Sequence, residues 1–209
     1  MPKGAGSVRL APMLDRRPKS NAVGPPDLDH VEVWIFDLDN TLYSPRHNLF
    51  AQIDRRMGEF IADYLSIEVA EAKRLQKDHF RRHGTTLRGL MNEYDMAPDA
   101  FLDYVHDIDL TPIPPDEPLR QALSRLQGRK LIFTNATRAH AERITRHLEI
   151  RDFFEDIFDI VDSDYLPKPD RRPYEKLLER YDVRPERAAI VPVVDGRMQR
   201  VQLCTRCLR

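Results

Sequence analysis

Val31-Glu32-Val33-Trp34-Ile35-Phe36 runs directly into Asp37-Leu38-Asp39-Asn40-Thr41, and this junction decides the fold. An apolar run of that length, rich in β-branched and aromatic residues, reads as a buried strand. Two carboxylates then stand two residues apart where the strand ends. Residues i and i+2 of extended chain point the same way, so Asp37 and Asp39 face one site. Like charges that close need a cation or a proton between them. The pair therefore reads as a nucleophile beside an acid/base, held by a divalent metal. Asp and Asn turn chemistry at a strand end is the plain alternative for the pentapeptide taken alone.

Outward from this strand the chain first turns helical. Phe50, Ile53, Met57, Phe60, Ile61 and Tyr64 recur at helical spacing, and Ser66 reads as the N-cap of a second helix. That helix would turn Val69, Ala72, Leu75 and Phe80 inward and stop at Gly84. A third follows over Leu87, Leu90, Met91 and Tyr94, and Pro98 opens a fourth carrying Phe101, Tyr104, Val105 and Ile108. His79 and His83 stand at i, i+4 with Arg81 and Arg82 between them, which reads as a solvated face rather than a zinc site. Pro112, Pro114, Pro115 and Pro118 mark a stiff return linker. From Pro118 the rhythm becomes strict alternation. Helix at 119–126 gives way to strand 130–134, helix 139–148, strand 157–161, helix 174–181 and strand 188–194. Strands alternating with helices predict an α/β protein with a doubly wound parallel sheet. The expected organisation is a core over 29–45 and 116–195 with an inserted all-helical cap over 46–115. Such sheets bind ligands beyond the carboxyl ends of their strands, where the cap would sit as a lid.

Bulk properties narrow the function classes. The 209 residues are 41% apolar and 32% charged with a net charge of -1. Length and composition fit a soluble domain with an insertion and a substantial core. Lys and Arg are spread along the chain, so neither nucleic acid nor an anionic membrane is expected as partner. No run approaches the ~18 apolar residues of a spanning helix. Residues 1–28 hold five prolines and five basic residues without apolar periodicity and read as a disordered leader, with a mis-assigned start as one explanation. They lack the apolar stretch of a secretory signal. Cys204 and Cys207 form a lone C-x-x-C near the terminus, which is weak support for zinc. With no disulfide framework, a reducing, cytoplasmic setting is the default.

What the strand ends deliver forms one chemical set. The first gives Asp37 and Asp39, the second Thr134 and Asn135, and Lys168 follows the third in Leu166-Pro167-Lys168-Pro169. Two acids, a hydroxyl beside an amide, and a lysine fit transfer of a phosphoryl group to an aspartate. The order Asp37-Leu38-Asp39-Asn40-Thr41-Leu42-Tyr43, then Gly84-Thr85-Thr86-Leu87-Arg88-Gly89-Leu90, then Thr134-Asn135-Ala136 and Lys168-Pro169, resembles the haloacid dehalogenase superfamily. Within it, the chain looks like the pyrimidine 5′-nucleotidase-like branch of aspartate-nucleophile phosphatases. The resemblance implies a Rossmann-like core and a Mg²⁺ cofactor. It implies Asp37 as nucleophile, Asp39 as general acid then base, and Lys168 neutralising charge. Thr134, Asn135 and Thr41 would contact the phosphoryl group, and Asp37, Asp39 and Asp195 would hold the metal. The implied substrate is a small phosphorylated metabolite, a pyrimidine nucleoside 5′-monophosphate first.

The pattern breaks near the end. Arg187-Ala188-Ala189-Ile190-Val191 matches the family's lead-in to an acidic pair, but Pro192-Val193 stands in its place. Asp195 comes two residues late and would substitute only if a bulge shifted the register. The abrupt change reads as a frameshift or truncated frame, and the stretch 196–209 as an atypical tail with four arginines and no convincing strand. A weakened Mg²⁺ site and an exposed sheet edge are the expected consequences. Asp162 and Asp164 are further metal candidates, though loop acids are more often turn formers. A phosphatase for another small metabolite and a catalytically impaired remnant both stay open as alternatives.

Overall fold

The computed structural model describes residues 28–191 together with three short strand segments at 193–194, 197–198 and 201–202. The first strand, β1 (Val33–Phe36), is followed by four helices: α1 (Leu49–Leu65), α2 (Val69–His83), α3 (Thr86–Tyr94) and α4 (Pro98–His106). Alternation then begins with α5 (Glu117–Arg125), β2 (Arg129–Phe133), α6 (Arg138–His147), β3 (Asp156–Phe158), α7 (Arg171–Arg180) and β4 (Ala188–Val191). β1, β2, β3 and β4 are parallel, with β1 between β2 and β4. Phe36 is level with Ile132 on one side and Val191 on the other, so the chain leaves all three strands at one rim. The expected α/β architecture with a helical insertion after the first strand is the one observed.

Two apolar layers sandwich the sheet because successive strand side chains alternate. Trp34 and Phe36 join Ile132, Ile157 and Ala189 on one face, under Leu123 of α5 and Ala141, Ile144 and Leu148 at α6. Val33 and Ile35 join Leu131, Phe133 and Phe158 on the other, under Leu177 of α7. Covering both faces is what lets the strands be apolar throughout. The first layer runs on into the insertion through Leu49, Ile53, Ile61, Leu90, Phe101 and Val105.

Several helix boundaries differ from expectation. Ser66 adopts a left-handed backbone and closes α1, its N–H bonding the Ala62 and Asp63 carbonyls, instead of opening α2. The inward stripe of α2 is Ala72, Gln76 and His79, while Val69 and Phe80 are exposed. The reason is steric. α3 presents Gly89 to α2, and a Cβ there would lie 2.4 Å from the His79 Cβ and Cγ, so the imidazole occupies the space that glycine leaves. His79 is thus fully buried, not solvated. Gly84 ends α2 as expected, with φ +82°, and Thr85 caps α3 by accepting from the Arg88 N–H at 3.1 Å.

The chain after β4 also departs from expectation. One strand over 188–194 was expected, but β4 stops at Val191, and β5 (Val193–Val194) pairs antiparallel with β6 (Arg197–Met198) in a separate ribbon. A proline at 192 has no N–H to continue the ladder. The edge is not bare either. β7 (Val201–Gln202) runs antiparallel along β4, opposite Ile190 and Ala189, so the tail does supply a strand. Residues 1–27, Asp195, Cys204 and Cys207 lie outside the described residues. Among the described residues no helix is long and apolar enough to cross a membrane.

Gly128 fixes the start of β2. Its φ is +93°, and a Cβ would sit 2.6 Å from the Glu32 carbonyl oxygen, the acceptor for Arg129 N–H at 2.9 Å. Gly128→Ala is therefore expected to cost at least about 1–2 kcal/mol. A urea midpoint equal to the parent's would show that this turn yields.

Candidate active site

Phe36 is the last residue of β1, yet the ladder persists for one step because Asp37 N–H donates to the Val191 carbonyl at 3.3 Å. Leu38 is fully buried while Asp37 and Asp39 are partly open, so the two acids share a face as the i, i+2 rule requires. The chain then turns back sharply. Thr41 and Leu42 N–H both donate to the Leu38 carbonyl, and Asn40 takes a left-handed φ of 59°.

Asp37 is held on three sides. Its Oδ1 accepts from Lys168 Nζ at 2.7 Å and from the Leu38 N–H at 2.9 Å, and its Oδ2 accepts from the Thr41 hydroxyl at 3.4 Å. Lys168 is itself fixed. Its ammonium also donates to the Phe133 carbonyl at 2.6 Å and lies 4.9 Å from the centre of the Phe133 ring. Its backbone N–H donates to Asn135 Oδ1 at 2.9 Å, and the following peptide bond, to Pro169, is cis. Asn135 therefore spends its side chain on the lysine loop. Thr134, 1% exposed, accepts from the Ala136 N–H at 3.0 Å, which leaves its hydroxyl proton for another acceptor. All six described candidates, Asp37, Asp39, Thr41, Thr134, Asn135 and Lys168, meet at the carboxyl rim of β1 and β2.

Asp39 has a shell that sequence reasoning did not assign. Its Oδ1 accepts from the Tyr43 hydroxyl at 2.7 Å and lies 3.5 Å from Nε2 of fully buried His140. His140 stacks at 4.3 Å on His106, whose Nδ1 meets the Thr137 hydroxyl at 3.2 Å. Burial works to raise the Asp39 pKa, but the His140 contact and charge and the Tyr43 hydrogen bond outweigh it, and the net direction is down. Burial, with the Asp39 charge next, pushes the Tyr43 phenol far up, so it stays a donor. Tyr43 was visible as part of the opening motif, and its i, i+4 spacing from Asp39 on a tight turn is the signal that could have given its role. His140 and His106 sit in helical patterns that say nothing of a carboxylate partner.

The other acids are engaged elsewhere. Asp162 pairs with Arg180 and lies 3.5 Å from Arg138, and Asp164 pairs with Lys176 at 2.6 Å. Both carboxylates are thus paired with basic side chains of α6 and α7. Buried Asp159 closes the turn after β3, accepting from Arg138 N–H at 2.7 Å and Asp162 N–H at 2.8 Å. Toward the insertion, a cleft of about 450 Å³ runs between the α2–α3 turn and the lysine loop, lined by Gly84, Arg88, Asn92, Pro167, Pro169 and Arg172 among others.

An aspartate pair at the rim of a parallel sheet, clamped by a lysine from a later loop and roofed by inserted helices, defines a class. The chain belongs to the haloacid dehalogenase-like hydrolases, whose family profile matches residues 31–191. Among particular relatives, it is 29% identical over 168 residues to Phosphate metabolism protein 8 of Saccharomyces cerevisiae, covering 72% of this chain and 52% of the yeast protein. The chain thus spans about half the length of that curated relative. Its fold is similar to that of a HAD phosphatase from Thermococcus onnurineus, with TM-score 0.52 and 18% identity over 80% of each chain. A magnesium-bound HAD-hydrolase of Bacillus subtilis, YfnB, also matches, with TM-score 0.47 and 17% identity over 80% of each chain.

His106 gives the site an acid-sensitive flank. Burial first, then the neighbouring His140 charge, lowers its pKa from 6.5 to about 3. Between those values the unfolded chain takes up a proton that the folded chain refuses, so stability falls as pH falls, by at most about 1.4 kcal/mol per pH unit. Urea midpoints from pH 7 to pH 4 should drop more steeply for the parent than for His106→Phe. Parallel slopes would assign the acid sensitivity to other groups.

Proposed function

We propose that the chain is a phosphomonoester hydrolase working through an aspartyl-phosphate on Asp37. The observation that carries this reading is the Lys168 Nζ–Asp37 Oδ1 contact of 2.7 Å beside an acid whose own hydrogen bonds are already made. The Asp37 carboxylate attacks phosphorus, the bond to the leaving oxygen breaks, and Asp39 gives that oxygen its proton. Water then attacks the acyl phosphate, Asp39 takes the water's proton, and Asp37 and inorganic phosphate are released. Lys168 offsets the charge gathering at phosphorus, and the Thr134 hydroxyl proton is positioned as a donor to a non-bridging oxygen.

Asp39 is held as a carboxylate before substrate arrives, since its pKa is lowered. The negative charge of a bound phosphate opposes that, so Asp39 takes up a proton from solvent as substrate binds and then has it to give to the leaving oxygen. Tyr43 and His140 then set where the carboxyl points.

The donors suit Mg²⁺. The Asp37 carboxylate and the Asp39 backbone carbonyl are hard oxygen ligands on adjacent turns of chain, and a cation that keeps several waters needs few protein ligands. When bound, Mg²⁺ would neutralise phosphate charge. The third ligand of the usual set, a carboxylate, is missing at 192–193, and Asp195 lies outside the described residues. With two protein ligands among the described residues, weak metal affinity is the expectation.

Nucleoside 5′-monophosphates, pyrimidine ones first, are the proposed substrates. The support is the Asp37–Tyr43 and Gly84–Leu90 motifs, and a cleft beside the lysine loop that carries Arg88 and Arg172. Another small phosphorylated metabolite is the alternative reading, favoured by a cleft lining without Phe, Tyr or Trp on which a base would stack.

Two measurements test these claims. Asp37→Asn should lower kcat/KM for phosphate esters at least about 10³-fold, and beryllium trifluoride should trap on position 37 and no other. A variant as fast as the parent would overturn the mechanism. On a panel of phosphomonoesters, UMP and CMP should be preferred by about tenfold or more; a flat panel would remove the nucleotidase reading and leave the phosphatase one.

A further inference from the structure

His79 and His83 of α2 and Glu93 of α3 place one ligand atom each within 4.8 Å of one another. Glu93 Oε1 is 2.7 Å from His83 Nε2 and 3.9 Å from His79 Nδ1. The decisive feature is His79. It is 0% exposed, and neither ring nitrogen has a hydrogen-bond partner. A buried imidazole that satisfies neither nitrogen carries an uncompensated desolvation cost that a ligand at Nδ1 would relieve. Its Nδ1 side is directed at the Glu93 carboxylate, and Gly89 holds the ring there, since any side chain at 89 would strike it.

We infer that these three side chains form a zinc-class metal site that ties α2 to α3 within the helical insertion. Two imidazoles and a carboxylate are the donor types that a borderline-soft divalent ion prefers, and histidines at i, i+4 share one helix face. Burial, the largest influence, lowers the His79 pKa and keeps the ring in its neutral, ligating form. His83 is oriented from behind, its Nδ1 lying 3.4 Å from the Asn92 side-chain amide. On binding, the Nε2 proton of His83 moves to Nδ1, and the Asn92 amide, whose nitrogen now faces Nδ1, turns over so that its oxygen accepts from that N–H and the ring stays neutral. Arg82 Nη2, now 2.8 Å from Glu93 Oε1, competes for the carboxylate and has to give way.

Three protein ligands leave a fourth position for water. His83 and Asn92 also line the cleft that reaches Pro167 and Pro169, so the three side chains lie against the wall of that cleft. The ion would then brace the wall of that cleft. The inference is independent of the chemistry proposed for Asp37.

The test uses tag-free full-length protein with Asp37→Asn, which removes the Asp37 carboxylate from the rim without touching the insertion. Titration with zinc chloride against a chromophoric chelator should give one ion per chain, and Co²⁺ should give the visible bands of a four-coordinate site. Saturating zinc should raise the thermal midpoint by about 5 °C. His83→Ala and Glu93→Gln, at half-buried and exposed positions, should weaken binding at least about tenfold and abolish the thermal shift. His79→Ala serves only as a supplement, because a buried cavity can unfold the insertion. No binding at about 100 μM zinc, or binding unchanged in both His83→Ala and Glu93→Gln, would overturn the site, since metal so weakly held cannot add measurable stability. Binding that disappears in Cys204→Ser/Cys207→Ser but survives those two variants would overturn it equally.

Discussion

One ion pair organises the site: Lys168 reaches back across 131 residues of sequence to Asp37, with 2.7 Å between the charged atoms. It joins the loop after β3 to the end of β1, and β2 supplies the Phe133 carbonyl that shares the ammonium. The pair is partly buried, so neither charge is fully screened, and losing one partner would strand the other. Everything at the rim is arranged around this contact. Asn135 fixes the lysine backbone, Thr41 and the Leu38 amide fix the carboxylate, and the parallel register of β1, β2 and β4 puts the elements side by side.

Asp39 is governed by a different set of forces. It belongs to the same face as Asp37, but its neighbours are a phenol and an imidazole, without lysine or arginine in direct contact among the described residues. Two acids two residues apart thereby acquire different electrostatic surroundings. That separation is what a nucleophile beside a proton carrier requires, because identical environments would make the two carboxylates interchangeable.

Much of this was legible in the sequence, for physical reasons that can be named. The apolar run before Asp37, the strand–helix alternation after Pro118, and the strand-end positions of Thr134 and Lys168 are consequences of sheet geometry that composition alone encodes. Asn135 was placed correctly at the rim, though its side chain supports the lysine loop instead of facing outward. His140 and His106 were not legible, since helical periodicity gives no sign that a polar residue on the inner face meets a carboxylate from another element. The buried stripe of α2 was missed for a similar reason. Its register is set by the absence of a side chain at Gly89 on another helix, and local hydrophobicity points the other way. The antiparallel strand at Val201–Gln202 owes its place to an available edge on β4, which the tail's arginine-rich composition conceals.

The return segment from the insertion is fastened along α6. Arg143 donates to the carbonyls of His106 and Ile108 at 2.8 and 2.7 Å, and His147 Nε2 lies 2.8 Å from the Ile113 carbonyl. α6 also carries His140, the neighbour of Asp39. One helix thus serves as a common keel for the Asp39 carboxyl and for the end of the helical roof. Any displacement of that keel is registered by both together, so the roof's return end cannot drift without the acid being re-aimed.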